Sequence, residues 1–159
     1  MFRVAGGIIL IEWLQSTSNV DIKTQFLPDA MTIPLIWVGL LWTVIQPGLI
    51  TPRQAVEGAI IGYMLLWSLA KTFSLLRKKE GMGGGDMKLI AAIGAWVGPF
   101  GVLVTIGLSS LIALALALVL AIRKKQFQQF AYGPSLATAA IIVFILHPYL
   151  LYGTAMVKP

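Results

Sequence analysis

No cysteine occurs in this sequence, so neither a disulfide framework nor a cysteine-ligated zinc site is available to the fold. Histidine occurs once and acidic residues only six times, and they do not cluster into the His, Cys and carboxylate sets that hold a catalytic metal. No metal and no other cofactor is therefore called for. Charge of either sign is scarce: Asp, Glu, Lys and Arg together make up 11% of the chain, against about a quarter in soluble domains. Also missing are an internal repeat and a low-complexity linker. No small-residue cleavage pattern follows the first apolar stretch, which is accordingly read as part of the fold and not as a removable signal.

What is present is apolar: 58% of the residues are hydrophobic. This is the composition of an all-α integral membrane protein. A helix needs about 20 mainly apolar residues to cross the hydrocarbon, which allows a polytopic bundle of about six transmembrane helices in 159 residues. The predicted spans are Val4 to Val20, Met31 to Ile45, Ala55 to Leu76, Asp86 to Val97, Phe100 to Ile122 and Leu136 to Tyr152. Glu12 and the polar run "QSTSN" make the first the weakest, and Gly98 and Pro99 separate the fourth and fifth by a tight turn. Residues 1–159 form one membrane-embedded domain.

The net charge of +6 sets orientation and does not signal nucleic acid, because the cations fall in short clusters between apolar runs. Lys and Arg near helix ends are retained on the cytoplasmic side. Loops at 21–30, 77–88 and 123–135 collect most of them, leaving Arg3, Arg53 and Lys158 opposite. Both ends of the chain then lie outside, and Asp21, Asp29 and Asp86 lie near the cytoplasmic face. Trp42, Tyr149 and Tyr152 fall towards span ends as an aromatic belt would, and Trp13 and Trp37 read as packing residues. His147 beside Pro148 reads as an interfacial residue at a kink.

The six acids are Glu12, Asp21, Asp29, Glu57, Glu80 and Asp86. A carboxylate at membrane depth costs several kcal/mol unless it faces protein or water. Glu12 and Glu57 are expected to find polar partners inside the bundle. Asp86 follows "GMGGG" and opens an apolar helix, where a carboxylate caps exposed N–H groups. On the residues alone, a capping aspartate and a reactive one remain equally open. A cap, however, does not call for glycines at 81, 83 and 85, which permit unusual backbone angles and close approach of another chain. Asp21, at the end of the first span, is a solvated loop acid or the second half of a pair. Two carboxylates brought together split their titration, so that one serves as base towards water and the other as acid towards a carbonyl.

"VDIKTQFLPD" at 20–29 and "GMGGGDMKLIAAIGAWVG" at 81–98, with "YGPSLA" at 132–137, together resemble the type IV prepilin peptidases. In that family of polytopic membrane aspartyl proteases, the second catalytic aspartate ends a glycine-x-glycine-aspartate motif, here Gly83, Gly84, Gly85 and Asp86. The resemblance implies that Asp21 and Asp86 are the catalytic pair. It places Gly81, Gly83, Gly85, Lys88, Pro28 and Asp29 in support of substrate approach and of the motif. Lys88 is otherwise read as an interfacial lysine with its stem along the apolar surface. The resemblance further implies cleavage of a short basic leader from prepilins or pseudopilins at the cytoplasmic face of the inner membrane, in a multi-pass protein whose partners are those substrates and the lipid bilayer. The cysteine-rich cytoplasmic extension of larger members has no counterpart in these residues, so N-methyltransferase activity is not carried over. The competing classes are a small transporter, which would spread its binding groups over repeats or broken helices, and a non-catalytic scaffold of a pilus or secretion assembly.

Overall fold

The computed structural model describes residues 2–24, 27–45, 50–77, 83–122 and 132–155. They form five helices and, among the described residues, no strand: α1 (Phe2–Thr24), α2 (Asp29–Ile45), α3 (Pro52–Arg77), α4 (Gly84–Ile122) and α5 (Gly133–Ala155). The helix starts follow local chemistry. At α3, the Thr51 amide donates to Gln54 Oε1 at 2.9 Å and the Gln54 amide donates to Thr51 Oγ1 at 3.2 Å. This reciprocal box satisfies two otherwise orphaned donors, while Pro52 fills the first helical position, where no N–H is needed.

Five helical elements stand where six spans were expected, because the fourth and fifth run together as α4. The backbone leaves helical geometry at Gly98, with φ 71° and ψ −177°, a conformation open to glycine and strained for other residues. Pro99 then begins the second limb. A Cβ built on Gly62 of α3 would lie 3.0 Å from the Ile90 carbonyl oxygen and 3.4 Å from Val102 Cγ1. Ile90 and Val102 thus meet the same point on α3, whereas a straight helix would hold them about 18 Å apart. α4 therefore folds back on itself at Gly98.

The limb over 84–97 is the axis of the molecule. Leu89 to Val97 are buried without a break, as suits a helix that is apolar all round. Against it pack Leu35 of α2, Leu66 of α3 and Leu136 and Val143 of α5, while Leu10 and Leu14 join the same core from α1, which lies against α5 and α2. The closest crossing joins α3 and α4. A Cβ on Gly58 would come 2.7 Å from the Gly98 carbonyl carbon, and one on Gly94 would come 2.9 Å from the Ala59 nitrogen. The two backbones touch because both elements carry small residues four apart, "GAIIG" at 58–62 and "GAWVG" at 94–98, a pattern that permits close helix crossing.

Trp96 ties the axis to its neighbours. Its Nε1–H donates to the Leu35 carbonyl at 3.1 Å, its ring stacks on Trp42 at 6.3 Å and meets Phe144 edge-on at 6.4 Å. Trp42 is thus a packing residue, not a belt residue. Trp13 packs as expected and donates to the Met31 carbonyl at 2.9 Å. Trp37, expected inside, is 62% exposed, because it lies on the face of α2 opposite Leu35 and Gly39. Among the described residues two stretches, Pro52–Leu75 and Gly84–Val119, are long and apolar enough to cross a membrane, the second divided into two limbs at Gly98.

Candidate active site

Asp21 is placed by a helix and not by the expected loop. α1 continues through "QSTSN" to Thr24, and its buried side chains are Leu10, Leu14, Thr17 and Asp21, one stripe at helical spacing. The polar run does not interrupt the helix, because Gln15, Ser16 and Asn19 lie on its exposed side. Thr17, the member facing inward, satisfies its hydroxyl on the Trp13 carbonyl at 2.7 Å. The stripe delivers the Asp21 carboxylate, 5% exposed, to the start of α5. There the Gly133 amide donates to Asp21 Oδ2 at 3.0 Å. A buried carboxylate needs such a partner, and a first-turn amide has no acceptor within its own helix.

Tyr132 carries the last turn before α5, and its carbonyl accepts the Leu136 amide at 3.1 Å. Its phenol meets Ser109 Oγ at 2.6 Å. Ser109 gives its own proton to the Ile106 carbonyl at 2.9 Å, so the phenol is the donor. Sequence reasoning passed over Ser109 and the Gly133 amide. The available signal was the "YGP" before an apolar run, a helix start with proline in its first turn.

Asp86 sits half-buried in the first turn of α4, whose Asp86 amide donates to the Gly83 carbonyl at 3.2 Å. The two carboxylates, brought from distant parts of the chain, stand within electrostatic reach of each other. Among the described residues the Asp86 carboxylate accepts no hydrogen bond. It is not spent as a helix cap.

The supporting residues divide in two. Gly85 is pressed by the α1–α2 link: a Cβ there would lie 2.6 Å from Leu27 Cβ, and Leu27 is buried. Pro28 follows, and Asp29, the acid of the first turn of α2, takes the Lys88 ammonium in an ion pair. Lys88 therefore does not stand alone at an interface; it straps α4 to α2. Gly83 and Gly84, by contrast, have open space where side chains would stand. Gly98 is the one described glycine with positive φ, so the unusual angles expected in the glycine run do not occur at 83–85. Gly81 lies outside the described residues, as do 78–80 and most of the basic loop at 123–135.

The remaining acids leave the site. Glu57 pairs with Arg53 at 2.7 Å on an exposed face of α3, and Glu12 is exposed on α1; neither enters the bundle, because each points away from its helix's buried stripe. Among the described residues no group of three His, Cys, Asp or Glu could hold a metal ion.

The architecture and site define an all-helical protein, with helices fit to span a membrane, that gathers two aspartates at helix ends. The family model of the type IV leader peptidases matches residues 8–118, and the chain belongs to that family. It is 46% identical over 139 residues to a prepilin leader peptidase/N-methyltransferase of Neisseria gonorrhoeae, covering 87% of this chain and 48% of that protein. It is 40% identical over 140 residues to the enzyme of the same name from Aeromonas hydrophila, covering 86% and 48%. A shorter match of 93 residues, 46% identical, joins it to the Klebsiella pneumoniae protein of that name, covering 58% and 40%. The chain thus spans about half the length of these relatives. No solved structure matches it.

Proposed function

We propose that the chain is a membrane aspartic endopeptidase that removes the short basic leader of type IV prepilins or pseudopilins at the cytoplasmic face of the inner membrane. What supports this reading is the electrostatic interaction between the Asp21 and Asp86 carboxylates, in a chain whose family is that of the leader peptidases. The proposal covers the peptidase activity, the one that the matched family describes.

Two carboxylates in mutual reach hold one proton between them. A water bound between them gives its proton to the ionised carboxylate as its oxygen adds to the scissile carbonyl carbon. The protonated carboxyl donates to the carbonyl oxygen. Collapse of that tetrahedral carbon transfers a proton to the leaving nitrogen, breaks the C–N bond, and frees the leader's carboxylate and the new amino terminus. Neither nucleophilic cysteine nor metal is needed. Gly83 and Gly84, with open space around them, leave the approach to Asp86 clear for an extended peptide.

The test is co-expression of a prepilin with Asp21→Asn or Asp86→Asn, read as the size shift of the substrate at equal enzyme abundance. Asn keeps the shape but cannot exchange a proton, so each variant is expected to abolish cleavage. The double variant should be scarcely worse than either one, as for groups that act as a unit. Normal cleavage by either single variant would end the two-aspartate reading.

A further inference from the structure

Asp21 and Asp86 are held differently. The Asp21 carboxylate is buried and has one hydrogen-bond partner among the described residues, the Gly133 amide at 3.0 Å. That amide comes from a helix 112 positions away, and the next residue, Pro134, has no N–H to offer. Among the described residues Asp86 has no such partner. The contact tolerates no side chain: a Cβ on Gly133 would lie 2.9 Å from Asp21 Cγ and closer still to Oδ2. Neither atom is the free end of a long side chain, so the carboxylate would have to rotate away. The approach of α5 is itself fixed next door, where Tyr132 is tied through Ser109 to α4.

We propose that Gly133 is a positioning residue: its amide claims Oδ2 of Asp21, leaving Oδ1 to face the water and the partner carboxylate. This role rests on the two-aspartate reading above. It makes the orientation of one catalytic carboxylate a property of the start of α5. Misplacing a reacting group by about 1 Å costs on the order of a hundredfold in rate, and loss of one hydrogen bond to a charged acceptor is of similar weight, about ten- to hundredfold. A residue needed only for packing would instead lower the amount of folded enzyme and leave turnover per folded molecule unchanged.

The experiment uses the whole chain in lipid-containing detergent, with a synthetic peptide spanning the leader junction of a type IV prepilin. Gly133→Ala is expected to lower kcat ten- to hundredfold per folded molecule while KM stays within about twofold. A second variant made by cell-free synthesis carries glycolic acid at position 133. The backbone ester removes the N–H and adds no atom, so it decides the matter even where the alanine variant does not accumulate; the same loss of kcat is expected. An ester variant with unchanged kcat, or with its whole defect in KM, overturns the proposal. Asp21→Asn, run beside it, separates the two failures. If it is inactive while the ester turns over normally, only the positioning role falls; if it is active, the two-aspartate reading falls first.

Discussion

Asp29 and Lys88, 59 residues apart in sequence, are joined as an ion pair that straps the first turn of α2 to that of α4. Beside it, Leu27 rests against Gly85. The α1–α2 link is thereby clamped on the helix start that carries Asp86, and Lys88 stands two positions beyond that aspartate.

Because both side chains are partly exposed, at 36% and 55%, the pair contributes about 0–1 kcal/mol. Lys88→Met and Asp29→Asn should each lower the melting temperature slightly and leave leader cleavage within severalfold of the parent. Exchanging the two charges should recover part of the loss. A defect in Asp29→Asn as deep as that of Asp86→Asn would give Asp29 a chemical role.

The crossing of α3 and α4 should be far less tolerant. Gly58→Leu or Gly94→Leu forces two touching backbones apart, and overpacking of this kind costs about 1–3 kcal/mol or more. Membrane accumulation and thermal melts are the readouts, with Gly107→Ala as comparison, since nothing lies within 4 Å of that position. Parent-like stability of both leucine variants would contradict the close crossing.

The legible part of this fold was what periodicity and composition control. The five helices fall where apolar spans were drawn, and the break between two of those spans falls at Gly98. The misreadings share one cause, which is that a linear list of polar residues hides the angle around the helix. "QSTSN" looked like an interruption although only Thr17 of it is buried, and Glu57 was assigned to the interior although it faces out beside Arg53. The glycine signature marked Asp86, whereas the Gly133 amide stayed invisible because a backbone donor leaves no residue-type trace. The paired small residues at 58–62 and 94–98 were readable as a helix crossing and were passed over.

Orientation can be read directly because the chain is free of cysteine. A single cysteine replacing Lys78 should react with an impermeant thiol reagent from the cytoplasmic side only, as the clustering of Lys and Arg requires. Labelling from outside alone would invert the topology and move the aspartates to the wrong face.

Chelators should leave cleavage unchanged, since among the described residues no cluster could hold a metal ion and the proposed chemistry is carried by two carboxylates. Loss of activity in EDTA, restored by a divalent cation, would require a different mechanism.

The reversal at Gly98 bears on how the chain enters its membrane. At about 1.5 Å per residue the limb over 84–97 is about 21 Å long, short of a hydrocarbon layer about 30 Å thick, and it carries Asp86 and Lys88 near its start. The limb over 99–122 reaches about 36 Å and carries no charged residue. Placed in a bilayer, the short limb would depend on the long one for its insertion, and the two would enter as a hairpin whose tip is the glycine. Under the proposed membrane placement, the second limb would have to be made before the first, with its aspartate, could take its place.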